Sequence, residues 1–448
     1  MYILLIILIT FLGSMSAVVF LFDSIQVIFG IALVSIILTS FIILIFKLRI
    51  RLLLVWQVAF LYIIGFEGFL HHNEIVFNYG SGAIRASKYL VVTFLLTNIG
   101  YLLFFLLDNK KNGTKRKYIY QESYKPTALS LILIVSTYLV YIFMNIDNTV
   151  SSIYGGRSAA TLEGSLSFLH SATNNVISMI LPAILAFTFR YIYNFKKYVL
   201  FSIVLSIPII LILFIQGTRF PLLFSIAGLL LVLLINVKIK LKNIIALTLV
   251  GLTLLFLSEL MVASRGVGIV NYLNATGNDL QENVQGIFYS REGVIRTNTW
   301  MIEYFDENPH LYGASSSFVL FFWVPRVIWP EKPTMLGYWL IREINIGGFG
   351  EGHSVSFGFA GDAYADFGLL GGMIFSLLLG CVIYILERRN NKVLFSKYNI
   401  LYIAITYPFI FFGMRSLQTS LINFIGMIFF LWIFRRTIKV DKSIKEIE

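Results

Sequence analysis

Long apolar runs recur from one end of this 448-residue chain to the other. Each run is close to the roughly 20 residues that an α-helix needs to cross the hydrocarbon core of a bilayer. Charged residues make up 13% of the chain, whereas a soluble globular protein has about 25%. Because a helix satisfies its backbone hydrogen bonds within one segment even in lipid, the sequence predicts an all-α polytopic membrane bundle.

The apolar runs predict about twelve transmembrane helices in a single membrane domain over residues 1–448. The first run has no basic stretch before it, so we expect a retained span and not a cleaved signal. The predicted spans are 2–22, 25–46, 52–70, 88–107, 128–146, 171–193, 199–215, 221–236, 243–262, 367–386, 398–413 and 417–434.

Lysine and arginine crowd into every second connection of this assignment. The basic connections cover residues 47–51, 110–125, 190–197, 238–242, 388–397 and 435–445. Cytoplasmic loops are enriched in these residues, so we expect this face, with both termini, to be cytoplasmic. The same topology explains the formal net charge of +12, and we expect no nucleic-acid binding.

The basic residues expected on the opposite, outer face are mostly arginine. They are Arg85, Lys88, Arg157, Arg219, Arg265, Arg291, Arg296, Arg326, Lys332, Arg342 and Arg415. Topology requires only positive charge, whereas a planar guanidinium group holds a phosphate or carboxylate with two hydrogen bonds. The bias favours an anionic ligand at the outer face. The alternative is that these arginines pair with outer acidic residues or reach lipid headgroups.

One long outer segment, residues 263–366, lies between the predicted ninth and tenth spans. It is rich in aromatic residues, and we expect it to be partly helical. The pattern predicts a short helix over Thr297–Glu307 that stops before Pro309. Residues Phe318–Trp329 are apolar but too short to span, which indicates an interfacial or re-entrant segment.

Arg219 and Arg265 are the arginines that we predict to act in catalysis. Arg219 lies in a tight outer turn, and Arg265 opens the long outer segment where the ninth span ends. Ionisable groups near membrane depth are functional candidates, with contact to lipid headgroups as the alternative for Arg219. The arginines predicted to bind substrate are Arg291, Arg296, Arg326, Arg342 and Arg415.

His353 follows a glycine-rich stretch of the outer segment and is the predicted general base. The alternative is a loop histidine bonded to Glu351 or to backbone. Asp362 and Asp366 share a face if they lie on a helix, and with Tyr364 we predict them to bind sugar or the outer arginines. Helix capping is the alternative for Asp366. No grouping has metal-ligand spacing, so we expect neither metal nor cofactor.

Three stretches of the chain carry a resemblance to a known family. They are Gln216–Arg219 (QGTR), Val324–Pro333 (VPRVIWPEKP) and Ser354–Gly371 (SVSFGFAGDAYADFGLLG). Together with the predicted topology, they resemble the bacterial oligosaccharide repeat-unit polymerases, the Wzy-type O-antigen and capsule polymerases. The gap between His353 and Gly368-Leu369-Leu370-Gly371 is longer than in the related O-antigen ligases.

The resemblance implies transfer of oligosaccharide units linked to undecaprenyl diphosphate, on the outer face of the bacterial cytoplasmic membrane. It implies inverting, metal-independent glycosyl transfer, with arginines stabilising the diphosphate leaving group and His353 activating the acceptor hydroxyl. A partner protein that regulates chain length is expected by family analogy. The alternatives are an O-antigen ligase-like transferase and a transporter or flippase for lipid-linked sugars.

Overall fold

The computed structural model describes residues 2–45, 51–70, 72–111, 119–125, 127–155, 167–235, 253, 270–271, 293–324, 327–344, 355–393 and 398–445. Its helices and strands are α1 (Tyr2–Val18), α2 (Ile25–Ile45), α3 (Arg51–Phe60), α4 (Phe66–Leu70), α5 (His72–Lys111), β1 (Ile119–Lys125), α6 (Ala128–Gly155), α7 (Ser167–Phe187), α8 (Tyr198–Ile215), α9 (Arg219–Leu234), α10 (Val294–Glu307), α11 (Ala314–Phe321), α12 (Leu336–Ile344), α13 (Gly361–Val393), α14 (Asn399–Gly413), α15 (Leu417–Arg436) and β2 (Lys439–Lys445).

The chain is a polytopic helical membrane protein. Within the described residues, eight helices are long and apolar enough to cross a membrane, and three shorter apolar helices accompany them. These helices coincide with every predicted span except 243–262, which lies outside the described residues apart from Thr253. The total of twelve spans therefore stays a prediction.

The chain divides into two compact units, each made of segments that are distant in sequence. Unit 1 comprises Met1–Lys117, Arg291–Lys392 and Phe409–Ile422, and unit 2 comprises Tyr118–Ser290, Val393–Pro408 and Asn423–Glu448. The predicted single membrane domain over 1–448 stays a prediction. Most of the described predicted site residues belong to unit 1, and Arg219 belongs to unit 2.

Unit 1 is organised around α5, against which α1, α2 and α10 pack. Glycines allow α5 and α13 to approach closely, since a Cβ on Gly100 would overlap the carbonyl of Leu377 and one on Gly380 that of Thr97. Small residues bring membrane helices together in this way when no hydrophobic effect drives their association. The tight contact fixes the register of α13 on α5.

Unit 2 is organised around α7, which packs against α6, α8 and α9. Arg190 lies in a π-helical turn that follows α7. Its guanidinium group donates to the carbonyls of Val232, Leu233 (2.9 Å) and Ile235 (3.0 Å) at the end of α9. A basic side chain thus satisfies the free carbonyls of a helix C-terminus.

Unit 2 also contains a two-stranded antiparallel ribbon that the all-α prediction missed. Strands β1 and β2 pair from Ile119 with Lys445 to Lys125 with Lys439. We predicted basic connections at both strands. Each strand is short and polar, and its partner is more than 300 residues away in sequence. Pairing satisfies the backbone groups that either segment would leave open by itself.

Two long helices of unit 1 are interrupted by glycine. Gly80 in α5 has φ 53° and ψ −136°, and Gly368 in α13 has φ 68° and ψ −163°. Positive φ is accessible to glycine without steric cost. The breaks let residues 361–367 and the start of α5 depart from the direction of the helices that follow them.

The outer segment contains the predicted short helix. The prediction of Thr297–Glu307 is confirmed by α10, which spans Val294–Glu307 and ends before Pro309. In the apolar stretch Phe318–Trp329, α11 ends at Phe321, and the side chains of Trp323, Val327 and Ile328 are exposed. Its location at the membrane interface stays a prediction, which these exposed apolar side chains support.

Candidate functional site

The candidate site occupies one end of unit 1. At this end, Arg85 of α5 contacts Asp306 of α10. At the other end, Asp108 of α5 pairs with Arg388 of α13 at 2.9 Å. The helical rise between Arg85 and Asp108 is about 35 Å, comparable with the ~30 Å hydrocarbon core of a bilayer. We call the end with Arg85 the site end.

A carboxylate from within an apolar span holds the first turn of α10 at the site end. The backbone N–H of Ile295 donates to Glu67 Oε2 at 3.1 Å, and the N–H groups of Val294 and Arg296 face the same carboxylate. A Cβ on Gly293 would overlap that carboxylate. Glu67 therefore acts as the N-terminal cap of a helix more than 200 residues away in sequence.

Gly293→Ala is expected to destabilise the protein by about 1–3 kcal/mol, because the new methyl group would displace the cap and leave N–H groups of α10 unpaired. The measurement is the thermal unfolding midpoint of the purified protein in detergent. Gly30→Ala is the matched control, since a Cβ there meets nothing within 4 Å. Equal midpoints for the two variants would contradict this description of Glu67.

A second buried carboxylate, that of Asp366, holds α11. Its Oδ1 accepts from the N–H of Ser315 at 3.0 Å, and its Oδ2 accepts from the N–H of Ser316 at 2.8 Å and from the Ser316 hydroxyl. The side chain of Asp366 is 0% exposed. These contacts make Asp366 the N-terminal cap of α11, so its oxygens are occupied by protein donors.

Asp362 lies one turn before Asp366 and is partly accessible. The Ser315 hydroxyl donates to its Oδ1 at 3.2 Å, and Gln418 Nε2 donates to the Ser315 carbonyl at 2.8 Å. The predicted pair of aspartates thus has two different environments, since Asp366 accepts three hydrogen bonds and Asp362 accepts one from the described residues. Across the described ranges, no three His, Cys, Asp or Glu side chains form a group that could hold a metal ion.

A row of aromatic rings continues from the aspartates along the site end. Tyr364 makes an edge contact with His310, at 5.9 Å between ring centroids. His310 stacks on Phe305 at 5.3 Å, and Phe305 stacks on Trp339 at 6.2 Å. Tyr364, His310 and Trp339 are half-exposed, whereas Phe305 is buried. The sequence analysis singled out Tyr364 but not His310.

Arg296 projects from the first turn of α10 and is half-buried. Its guanidinium carbon lies 5.2 Å from the ring centroid of Trp300, a cation–π contact that holds the planar group in place. Its Nε atom is buried and has no hydrogen-bond partner among the residues that the structure describes. The charge of Arg296 interacts with the Glu67 carboxylate, and its Nε–H keeps capacity for an acceptor beyond the described residues.

Several other outer cations are engaged by protein groups. Arg85 contacts Asp306, and Lys88 Nζ lies 2.8 Å from Asp23 Oδ1. Lys332 is buried and donates to the carbonyls of Phe322 and Val324 after α11. Arg85 and Lys88 therefore pair with acidic side chains, which is the alternative to binding an anionic ligand.

The remaining described arginines of the predicted set lie at helix ends. Arg342 is in the last turn of α12 and is exposed. Arg415 is half-exposed in the turn between α14 and α15, where its carbonyl accepts from the N–H of Gly358 at 3.0 Å. In unit 2, Arg219 is the first residue of α9 and follows Gly217, which has φ 66°.

Beside Arg219 in unit 2 lies a network of neutral amides that the sequence analysis missed. Asn145 and Asn174 exchange two hydrogen bonds of 2.7 Å, and Gln216 Nε2 donates to Asn145 Oδ1 at 3.0 Å. Asn145 is fully buried within α6. The network ties α6, α7 and the turn before Arg219 together, so that turn has a fixed position within unit 2.

Four predicted site residues lie outside the described residues. They are His353, Arg265, Arg291 and Arg326. Their roles stay predictions.

Comparison with known proteins gives no match among protein-family models, curated proteins or solved structures. A functional conclusion for this chain therefore depends on its own residues and their geometry.

Proposed function

We propose that this protein is a glycosyltransferase that polymerises oligosaccharide repeat units linked to undecaprenyl diphosphate. The observation that supports this most directly is the half-buried Arg296, whose guanidinium group is held on Trp300 and whose buried Nε–H has no acceptor among the described residues. A diphosphate oxygen is the acceptor that such a group binds best, because the pairing is charge-assisted. The resemblance of three stretches to the Wzy-type polymerases supports the same function.

The proposed reaction is one displacement at the anomeric carbon of the donor chain. A hydroxyl oxygen of the incoming unit forms a bond to that carbon while the bond to the diphosphate oxygen breaks. The electron pair and negative charge pass to the diphosphate, which Arg296 stabilises. The catalytic roles of Arg219 and Arg265 stay predictions. The hydroxyl proton passes to a base, for which His353 is the prediction, and attack opposite the leaving group inverts the anomeric centre.

We propose that the protein crosses the bacterial cytoplasmic membrane about twelve times. Both termini are cytoplasmic, and residues 263–366 form the extracytoplasmic segment. The two ends of unit 1 support this assignment: Arg388 lies at one end and α10 and α11 gather at the other. The remaining partner is a chain-length regulator, proposed from the family resemblance.

Deleting the gene is expected to leave single repeat units on the surface glycan and to remove longer chains. The measurement is gel analysis of glycan length in the deletion strain and in the strain complemented with the wild-type gene. Arg219→Ala and Arg265→Ala are expected to fail to restore long chains at normal membrane levels of the protein. Unaltered chain length in the deletion strain would contradict the proposal.

The same gels separate the alternatives. A strain lacking an O-antigen ligase keeps long chains on the lipid carrier, because polymerisation still proceeds. A strain lacking a transporter or flippase loses both single units and long chains from the outer face. Single units without long chains is the pattern that only loss of the polymerase produces.

A further inference from the structure

The aromatic row of the site end has more hydrogen-bonding capacity than its packing uses. Resting on the proposed function, we propose that His310, with Tyr304, Trp339 and Tyr364, forms the subsite that binds the saccharide part of the substrate. Tyr304 joins the row through an edge contact with Trp339, at 5.7 Å between ring centroids. The row lies on α10, on α12 and on the first turns of α13, together with the loop after α10.

Buried side chains hold the rings of the row in place. The hydroxyl of Tyr89 donates to the carbonyl of Ala360 at 2.6 Å, and its ring meets Tyr364 at 5.0 Å between centroids. Phe305 is buried beneath His310 and Trp339. Rings held in this way lose little conformational entropy when a ligand binds, which favours a pre-formed site.

His310 is the centre of the row and has no hydrogen bond to any described residue. Its Nδ1 is buried without a partner. The backbone at Gly368 passes so close that a Cβ there would lie 2.9 Å from His310 Nε2. A structural histidine is normally fixed by a hydrogen bond from at least one ring nitrogen, because an unpaired buried polar atom costs about 1–3 kcal/mol. The break at Gly368 makes room for the His310 ring, whose Nδ1 has no partner among the residues that the structure describes.

The rings next to His310 carry further hydrogen-bonding groups. The hydroxyls of Tyr304 and Tyr364 and the indole N–H of Trp339 form no hydrogen bond with the described part of the chain. Their rings are half-exposed. A pyranose presents an apolar C–H face and a rim of hydroxyl groups, so it pairs with aromatic faces flanked by donors and acceptors. An aliphatic ligand would leave these groups unpaired.

The test measures binding without turnover, on the full-length protein purified in detergent. The first probe is the repeat-unit oligosaccharide released by mild acid from the lipid-linked pool of the host, and the second is undecaprenyl phosphate without sugar. His310→Phe keeps a ring on Phe305 but removes both nitrogens. Trp339→Ala removes a stacking face, and Trp323→Ala is the matched control because Trp323 is exposed and makes no ring contact with the described residues of the row.

We expect His310→Phe and Trp339→Ala each to weaken binding of the released oligosaccharide at least tenfold and to bind undecaprenyl phosphate like the wild type. Trp323→Ala should match the wild type with both probes. If His310→Phe does not fold, Tyr364→Phe carries the test, with an expected threefold weakening. Wild-type affinity in the folded variants, or no oligosaccharide binding by the wild-type protein, would overturn the proposal. Sugar binding that depends on His310 in a protein that fails to polymerise would overturn the proposed function and not this subsite.

Discussion

Arg296→Ala is expected to lower the rate of polymerisation about 100- to 1000-fold. Removing one fixed donor from a developing negative charge costs a reaction about 2.7–4 kcal/mol. Arg296 fits this role because Trp300 holds its guanidinium group and its Nε–H has no described acceptor. The measurement is the initial rate of chain extension by purified protein, supported by glycan length in complemented cells.

Two further variants make this prediction specific. Arg296→Lys keeps the charge but loses the planar fork, and about a tenfold loss of rate is expected. Arg85→Ala is the matched arginine control, because Arg85 already contacts Asp306, and near-normal rates are expected. A full rate in Arg296→Ala, or equal losses in Arg296→Ala and Arg85→Ala, would remove the role of Arg296 at the leaving group.

Asp366→Ala is expected to lower the free energy of unfolding by about 3–6 kcal/mol. The substitution leaves the buried N–H of Ser315 without its acceptor, at about 1–3 kcal/mol, and removes two hydrogen bonds from the exposed Ser316, at about 1–1.5 kcal/mol each. All three donors, on Ser315 and Ser316, now bond to the Asp366 carboxylate. The measurement is the unfolding midpoint in detergent together with hydrogen exchange of the α11 amides.

The neighbouring aspartate supplies the comparison. Asp362 accepts one hydrogen bond in the described structure, from the Ser315 hydroxyl, so Asp362→Asn is expected to change stability by less than about 1 kcal/mol. Asp366→Asn keeps one carbonyl oxygen and should fall between the two. A loss below about 1 kcal/mol in Asp366→Ala would show that α11 does not depend on this cap.

The spans were readable from the sequence because each is a local apolar run. The helix α10 was readable for the same reason, since Pro309 marks its end within the segment itself. The β1–β2 ribbon was not, because pairing between Ile119–Lys125 and Lys439–Lys445 is a long-range property. Local composition decides where a membrane helix forms, whereas pairing between distant short segments leaves no local pattern.

The capping carboxylates show the same limit. Glu67 holds α10, Asp366 holds α11, and Glu387 accepts from the backbone N–H groups of Arg51 and Leu52 at the start of α3. Each acid caps a helix other than its own, so spacing rules for capping within one helix do not find it. Glu67 could have been singled out from the sequence, because an ionisable residue in an apolar span is expected to have a specific partner.

Only part of the candidate site could be found from the sequence. The sequence analysis named Tyr364, which lies in the aromatic row of the site end, but His310 entered from a loop that it left aside. His310 reaches the site end because Gly368 has a positive φ that makes room for its ring and because the ring stacks on Phe305. Both are three-dimensional relations between segments that no sequence spacing encodes.

Incubating the purified protein with its lipid-linked repeat units in detergent, with a metal chelator and no second membrane compartment, tests the proposed function most directly. We predict a ladder of lipid-linked products whose sizes are integer multiples of one unit, and its loss in Arg296→Ala. A donor that stays at one unit, or glycan that moves to another acceptor without lengthening, would contradict a polymerase.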